Sequence, residues 1–295
     1  MVLVLVAGLG DVGRAVLHDL RAADVPVRGM LHRPDPDFDA AGAELVVGDL
    51  TRPETVAAAL DGVDTMLFTM PVSPDHLLAA AVVADVARSR GGLDALVDLS
   101  QMTVSQMTPT SVGESDQQRL HYLAERVFDW SGLPAVHLRP TAFLDNPLFT
   151  TLAAASIRAR GTLELPFGAG HTSPIAVTDV ARVAATILRD PAPHVGHTYE
   201  LTGPHSVDMH KAAAEYSLAL GREVSYVDVP LDRWVREVLP KAGLPPHTEQ
   251  HVATMARLHR ENRYDRLTHD VEKVTGTPAM SIESFVTARR AFYLG

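Results

Sequence analysis

The sequence predicts an α/β fold: a Rossmann-type doubly wound parallel sheet with a smaller, interleaved C-terminal lobe. Three observations predict it. Short runs rich in Val, Leu and Ile show little polar alternation, as strands buried on both faces do. Over the first two thirds of the chain these runs alternate with segments of helical character, the pattern of a βα-repeating sheet. A glycine-rich turn, Gly8-Leu9-Gly10-Asp11-Val12-Gly13, stands between the first run and the first helical segment.

Taken in order, the candidate strands are Val2–Ala7, Val27–Leu31, Glu44–Val47, Thr65–Thr69, Ala95–Leu99 and Ala135–Leu138. Between them lie candidate helices at Val12–Ala23, Pro53–Leu60, Pro74–Arg90 and Ser115–Trp130. Thr51-x-x-Glu54 reads as a capping box opening the second helix, and Ser131-Gly132 as a stop after the fourth. Beyond Pro140 the pattern loosens. Ser173–Val177, Thr198–Leu201 and Val224–Val229 read as strands. Thr178–Leu188, Ser206–Leu220, Leu231–Leu239, Thr248–His259 and Ser281–Phe292 read as helices, with Pro240 to Pro246 a connector. The expected division is a nucleotide-binding domain over residues 1–150 and a substrate lobe, completed by the remaining sheet strands, over residues 151–295.

Composition narrows the function classes. The 295 residues include 36 acidic and 26 basic side chains, a net charge of −10, with no basic run. That argues against nucleic acid and anionic membrane as partners. There is no cysteine, which removes disulfides, thiolate nucleophiles and cysteine-ligated metals together. The apolar N-terminus lacks the basic start of a secretory leader, and Leu77–Ala87 is too short and carries Asp85, so neither reads as a membrane span. A cytoplasmic protein acting on a small molecule, as monomer or homodimer, is the expectation. His247-x-x-x-His251 has metal-ligand spacing but neither an accompanying Glu nor a third ligand, so no metal is expected.

The glycine turn has the G-x-G-x-x-G spacing in its required place. Gly8 permits the tight turn, Gly10 lets backbone approach a pyrophosphate, and Gly13 lets helix and sheet pack closely. The helix N-terminus at Asp11 and Val12 supplies N–H donors. At the end of the second strand, Leu31-His32-Arg33 offers no carboxylate for a ribose 2′-hydroxyl. Arg33 suits a 2′-phosphate instead, with Arg14 in support, so NADP(H) is favoured over NAD(H); the alternative is a solvated loop arginine. Asp49 and Leu50, after the third strand, fall beside the adenine, where Asp49 either accepts from the adenine amino group or caps a turn.

Together the glycine turn, Gly48-Asp49-Leu50, Leu99-Ser100, Ser131-Gly132-Leu133, Leu138-Arg139-Pro140, Thr178-Asp179-Val180-Ala181 and Tyr199-Glu200-Leu201-Thr202-Gly203 resemble the NmrA-like family of atypical short-chain dehydrogenases/reductases over nearly the whole chain. The resemblance implies an NADPH-dependent reductase of a small, largely apolar quinone, enone or carbonyl. The alternative it implies is a non-catalytic NADP(H)-binding redox sensor. Two departures stand out. The glycine turn is one residue shorter than the family's G-x-x-G-x-x-G. The Tyr-x-x-x-Lys pair of typical relatives has no counterpart in phase: aligned on Ser131-Gly132, Glu125 takes the family's helix glutamate, and the pair falls on Gln117 and His121. Tyr122 and Arg126 are one residue, or roughly 100°, around the helix.

By this alignment Gln117 and His121, on one helix face, point at the nicotinamide, where His121 holds the ribose or donates a proton. Ser100, after the fifth strand, is placed to bond a substrate oxygen. Met70 and Pro71 run past the ribose, and Pro140, Thr141 and Phe143 line the nicotinamide pocket. Asn146 matches a recurring family asparagine, and Met102, Phe143, Phe149 and Met255 are candidates for an apolar substrate wall or for ordinary core.

Overall fold

The computed structural model describes residues 2–295. The chain forms two compact units: one holds everything up to Val112, then Asp116–Arg139 and Val180–Glu200, and the other holds Gly113–Ser115, Pro140–Asp179 and Leu201–Gly295. The first unit is built on β1 (Val4–Ala7), β2 (Val27–Leu31), β3 (Glu44–Val47), β4 (Thr65–Phe68), β5 (Ala95–Leu99), β6 (Ala135–Pro140) and β8 (Thr198–Leu201). They form a seven-stranded sheet in the order β3-β2-β1-β4-β5-β6-β8. Neighbours from β3 through to β6 run parallel. β1 and β4 are buried at every residue, which is why they read as unbroken apolar runs.

Strand order reverses at β1, between β2 and β4, and such a switch point opens a crevice at the carboxyl ends. Helix α1 (Asp11–Ala22) covers one face, where Leu17 packs over Gly29 of β2. The other face packs Leu5, Met66, Phe68 and Leu96 against α2 (Pro53–Leu60), α3 (His76–Arg90) and α4 (Asp116–Ser131) through Leu60, Val83 and Phe128. Gly132, with φ +72°, ends α4 as expected of a left-handed helix stop. The capping box is not formed. Helix α2 begins at Pro53, so Arg52 is its N-cap and Thr51 lies one residue outside the capping position, its hydroxyl donating to Asp49 Oδ1 at 2.7 Å.

In the second unit β7 (Thr162–Leu165) pairs with β9 (Ser225–Asp228) in parallel, beside α5 (Thr151–Arg160) and α7 (Met209–Leu220). Ser173–Val177 is not a strand. Pro174 has no N–H to give a ladder, and only isolated bridges, Thr172–Val207 and Phe143–Ile175, form there. Helix α6 (Val177–Arg189) starts in this unit and runs from Val180 in the first; beyond α7 the second unit continues with α8 (Leu231–Glu237), α9 (Pro246–Arg260) and α10 (Asp270–Thr275). The single helix expected at Ser281–Phe292 is two, α11 (Ile282–Ala288) and α12 (Arg290–Leu294), broken at Arg289. Tyr216 and Tyr293 both donate to the Phe149 carbonyl, at 2.7 and 2.9 Å, knitting α7 and α12 to the start of α5. Among the described residues no helix is long and apolar enough to cross a membrane.

Candidate dinucleotide-binding and active site

The glycine turn sits at the switch point. Gly8 follows β1 with φ +100°, and a Cβ there would lie 1.9 Å from the Thr69 carbonyl oxygen at the end of β4. At Gly13 a Cβ would lie 2.0 Å from the Gly8 carbonyl oxygen. Only glycine fits either place. Gly10 differs: it is exposed, has φ −72°, and a Cβ would meet nothing within 4 Å. No packing demands a glycine there, yet glycine keeps the space before α1 clear. Gly10 is also the N-cap of α1 and offers no side chain to the helix amides. Open space facing uncapped N–H donors, with the positive end of the helix dipole behind them, fits a pyrophosphate. Gly8, Gly10, Asp11, Val12 and Gly13 are the residues that would hold it.

Arg33 lies two residues past β2, exposed, and makes no hydrogen bond or ion pair among the described residues. Arg14 is committed locally: its Nε donates to the Leu9 carbonyl at 3.1 Å, and its guanidinium lies 4.5 Å over the Phe38 ring and 3.7 Å from Asp35. Asp49 spends Oδ1 on the Thr51 amide at 2.9 Å and on the Thr51 hydroxyl. Those bonds hold its carboxyl below the usual range. Leu50 and Met70 are half-buried against the α2/α3 core, and Pro71 is exposed.

Ser100 follows β5 and is 4% exposed. Its amide donates to Leu138 O at 2.8 Å, while its hydroxyl is buried without a partner among the described residues. On α4, Gln117 and His121 do share a face: Gln117 Nε2 lies 3.1 Å from His121 Nε2, and Gln117 Oε1 accepts from the Ser73 amide at 3.1 Å. Gln117 therefore ties the loop after β4 to the helix. Tyr122, half-buried, packs beneath the guanidinium groups of Arg119 (5.2 Å) and Arg126 (5.6 Å).

His76 was not among the expected site residues. Its ring, 1% exposed, lies 4.1 Å from the His121 ring and edge-on to Phe68. Neither ring nitrogen has a partner among the described residues, and burial depresses the imidazole to about 4. A lone histidine at the head of an alanine-rich helix carries no sign of this in its spacing. Also unforeseen is a buried ionic network. Asp98 of β5 bonds His137 of β6 at 2.9 Å, Asp129 bonds the other ring nitrogen at 3.1 Å, and Glu125 takes Arg139 through both oxygens at 2.9 and 2.6 Å. Asp98, Glu125 and His137 lie close enough to share a cation. However, both nitrogens of His137 and both oxygens of Glu125 are already engaged, and His137 and Arg139 supply positive charge.

The remaining predicted residues belong to the second unit, save Met102, which is wholly buried in a 3-10 turn (Met102–Gln106) of the first. Pro140 and Thr141 are buried; the Thr141 amide donates to Leu201 O at 2.9 Å and its hydroxyl to Ser173 O at 2.5 Å. Phe143 is half-buried and bridges Ile175. Asn146 accepts from the Leu148 amide at 2.9 Å, holding the turn into α5. Phe149 is 1% exposed in the core, and Met255, 8% exposed, gives its carbonyl to the His259 ring. His251 of the paired histidines bonds the Ser115 hydroxyl at 2.7 Å instead of facing a ligand.

A switch-point glycine cradle opening onto an uncapped helix defines a dinucleotide-binding α/β protein. Residues 8–191 match the NAD(P)H-binding family, and the chain belongs to it. It is 28% identical over 295 residues to an NAD(P)H azoreductase of Xenophilus azovorans, covering 99% of each chain. Among solved structures it superposes on an NADPH-dependent quinone oxidoreductase of Escherichia coli complexed with NADPH (TM-score 0.81, 20% identity, 97% and 99% of the two chains covered). It likewise superposes on NmrA, a negative transcriptional regulator, in complex with NADP (TM-score 0.78, 17% identity, 96% and 94% covered). Those two likenesses are of fold alone.

Proposed function

We propose that the protein is an NADPH-dependent reductase of small, largely apolar quinones, enones or related electrophiles. The observation that carries the reading is the Ser100 hydroxyl: a buried donor, unspent among the described residues, at the carboxyl end of β5. Burying such a group without a partner costs about 1–3 kcal/mol, a cost that a substrate oxygen would relieve. The similarity to an azoreductase and to a quinone oxidoreductase supports the same class. Bound NADPH supplies the hydride. Ser100 and His121 then bond the oxygen on which charge develops, and Gln117 holds His121 in place. Resonance-stabilised anions need little further help, which suits a site read as lacking the Tyr-x-x-x-Lys pair.

Supplied with a panel of quinones, enones and azo dyes, the protein is expected to oxidise NADPH, and His121→Ala to lower kcat/KM about tenfold or more. Cofactor binding without oxidation of any of them would favour the second reading, a redox sensor of the NmrA kind. The packing of Tyr122 under Arg119 and Arg126 speaks for that reading, because it occupies the nearest tyrosine. Arg33→Ala is expected to weaken NADPH about tenfold to a hundredfold, as loss of a charge-assisted bond does, and to leave NADH unchanged. Titrations of both nucleotides by fluorescence check this, and equal losses for the two would remove the 2′-phosphate role.

A further inference from the structure

The bonds around Gln117 fix more than position. A backbone N–H can only donate, so the Gln117 atom 3.1 Å from the Ser73 amide is its carbonyl oxygen. The other end of the side chain is then the NH2 group, which also can only donate. It lies 3.1 Å from His121 Nε2. For that contact to be a hydrogen bond, Nε2 must carry a lone pair. We infer that Gln117 locks His121 in the neutral tautomer protonated at Nδ1, so that His121 serves the proposed reductase as a fixed hydrogen-bond donor rather than as an imidazolium acid.

The surroundings agree. Protonating Nε2 would set N–H against N–H; turning the amide to relieve it would leave the Ser73 amide facing another donor. Of the titratable groups packed against His121 from the first unit, His76 of α3 faces it ring to ring, is buried, and is itself held neutral. Glu125, one turn further along α4, is spent on Arg139 through both oxygens. The other charged neighbours along the helix, Arg119 and Arg126, engage Tyr122.

The consequence for chemistry rests on the reductase reading. Hydride from NADPH and a quinone give NADP+ and a hydroquinone anion, and the balancing proton comes from water after the anion is formed. An Nδ1–H donor suffices for that anion. A simple aliphatic ketone yields a far more basic alkoxide and requires a proton in the same step, so such ketones are expected to be poor substrates.

Long-range 1H–15N NMR of the full-length 15N-labelled protein tests the tautomer without any turnover, with His121→Gln used to assign the ring. The expected result is Nδ1–H with a bare Nε2 and no titration between about pH 5.5 and 8, the range in which an ordinary histidine changes charge. An Nε2–H tautomer, or titration near 6.5, would overturn the inference. In Gln117→Glu the carboxylate accepts from Nε2, so the proton should move there and the ring should titrate at least tenfold less acidic. Unchanged ring signals in a folded Gln117→Glu protein would also overturn it. If the tautomer is as expected but no electrophile is reduced, the lock stands and the reductase reading fails.

Discussion

Gly10→Ala is expected to cost NADPH affinity about a hundredfold while leaving the free protein as stable as before, whereas Gly13→Ala is expected to prevent stable folding. The contrast follows from what each Cβ would meet. At Gly13 it would be driven to 2.0 Å from the Gly8 carbonyl oxygen, a backbone atom that cannot swing aside. Separating α1 from β1 to make room costs on the order of 3 kcal/mol or more, a large part of a domain's stability. At Gly10 the new methyl would stand in open space, at a backbone conformation any residue adopts. Stability should change by no more than about 1 kcal/mol, because alanine restricts the unfolded chain but is a poorer N-cap than glycine. The loss falls on the ligand, whose phosphates approach the backbone where the methyl now stands. Calorimetric titration with NADPH, alongside thermal unfolding without it, checks both halves. Unchanged affinity in Gly10→Ala would place the dinucleotide elsewhere.

His137→Ala is expected to destabilise the protein by about 3–5 kcal/mol, because it strands the Asp98 carboxylate inside the sheet layer. Asp98 is 1% exposed and His137 is its hydrogen-bonded counter-charge. Burial pulls the His137 imidazole down, but the bond and charge of Asp98, with Glu125 and Asp129 behind it, overcome this and hold it up at about 9. The folded state therefore binds this proton more tightly than the unfolded chain, whose histidine titrates near 6.5. The resulting stability is complete below about pH 6.5 and is lost as pH rises through about 9; at about 1.4 kcal/mol per pKa unit it amounts to at most about 3 kcal/mol. Urea denaturation from neutral to alkaline pH should show a falling midpoint in the wild type and a flatter one in His137→Gln. A wild-type midpoint that holds through pH 9 would mean that His137 carries no charge.

How far the chain could be read in advance depended on whether the deciding contacts were local. The strands of the first sheet were legible because burial on both faces favours apolar side chains, as in Met66-Leu67-Phe68. The glycine turn was legible because strand, turn and helix are contiguous. β7 was not: Thr162-Leu163-Glu164-Leu165 is short, half polar, and supported by β9, which arrives some sixty residues later. Helix α5, Thr-Leu-Ala-Ala-Ala-Ser-Ile-Arg-Ala-Arg, has too few large apolar side chains to declare a face. At the site, the shared face of Gln117 and His121 followed from helical spacing alone. Their bond, the Ser73 link and the His76 ring depend on where α3 lies beside α4, and no local pattern encodes that. Thr51 shows the converse error: a valid capping pattern beside a helix that starts one residue later, with Arg52 as its N-cap.

The return of residues 180–200 to the first unit has a bearing on how the protein is made. As the polypeptide leaves the ribosome, β6 emerges with its outer edge bare, since the strand that covers it, β8, is translated only after α5, β7 and α6. Thr65 likewise waits for the Leu188 carbonyl that its hydroxyl bonds at 3.2 Å. Such delayed long-range pairing slows folding and leaves strand edges open to other nascent chains. During synthesis, before β8 is made, the outer edge of β6 is open to pairing with other chains; in the finished sheet β8 closes it.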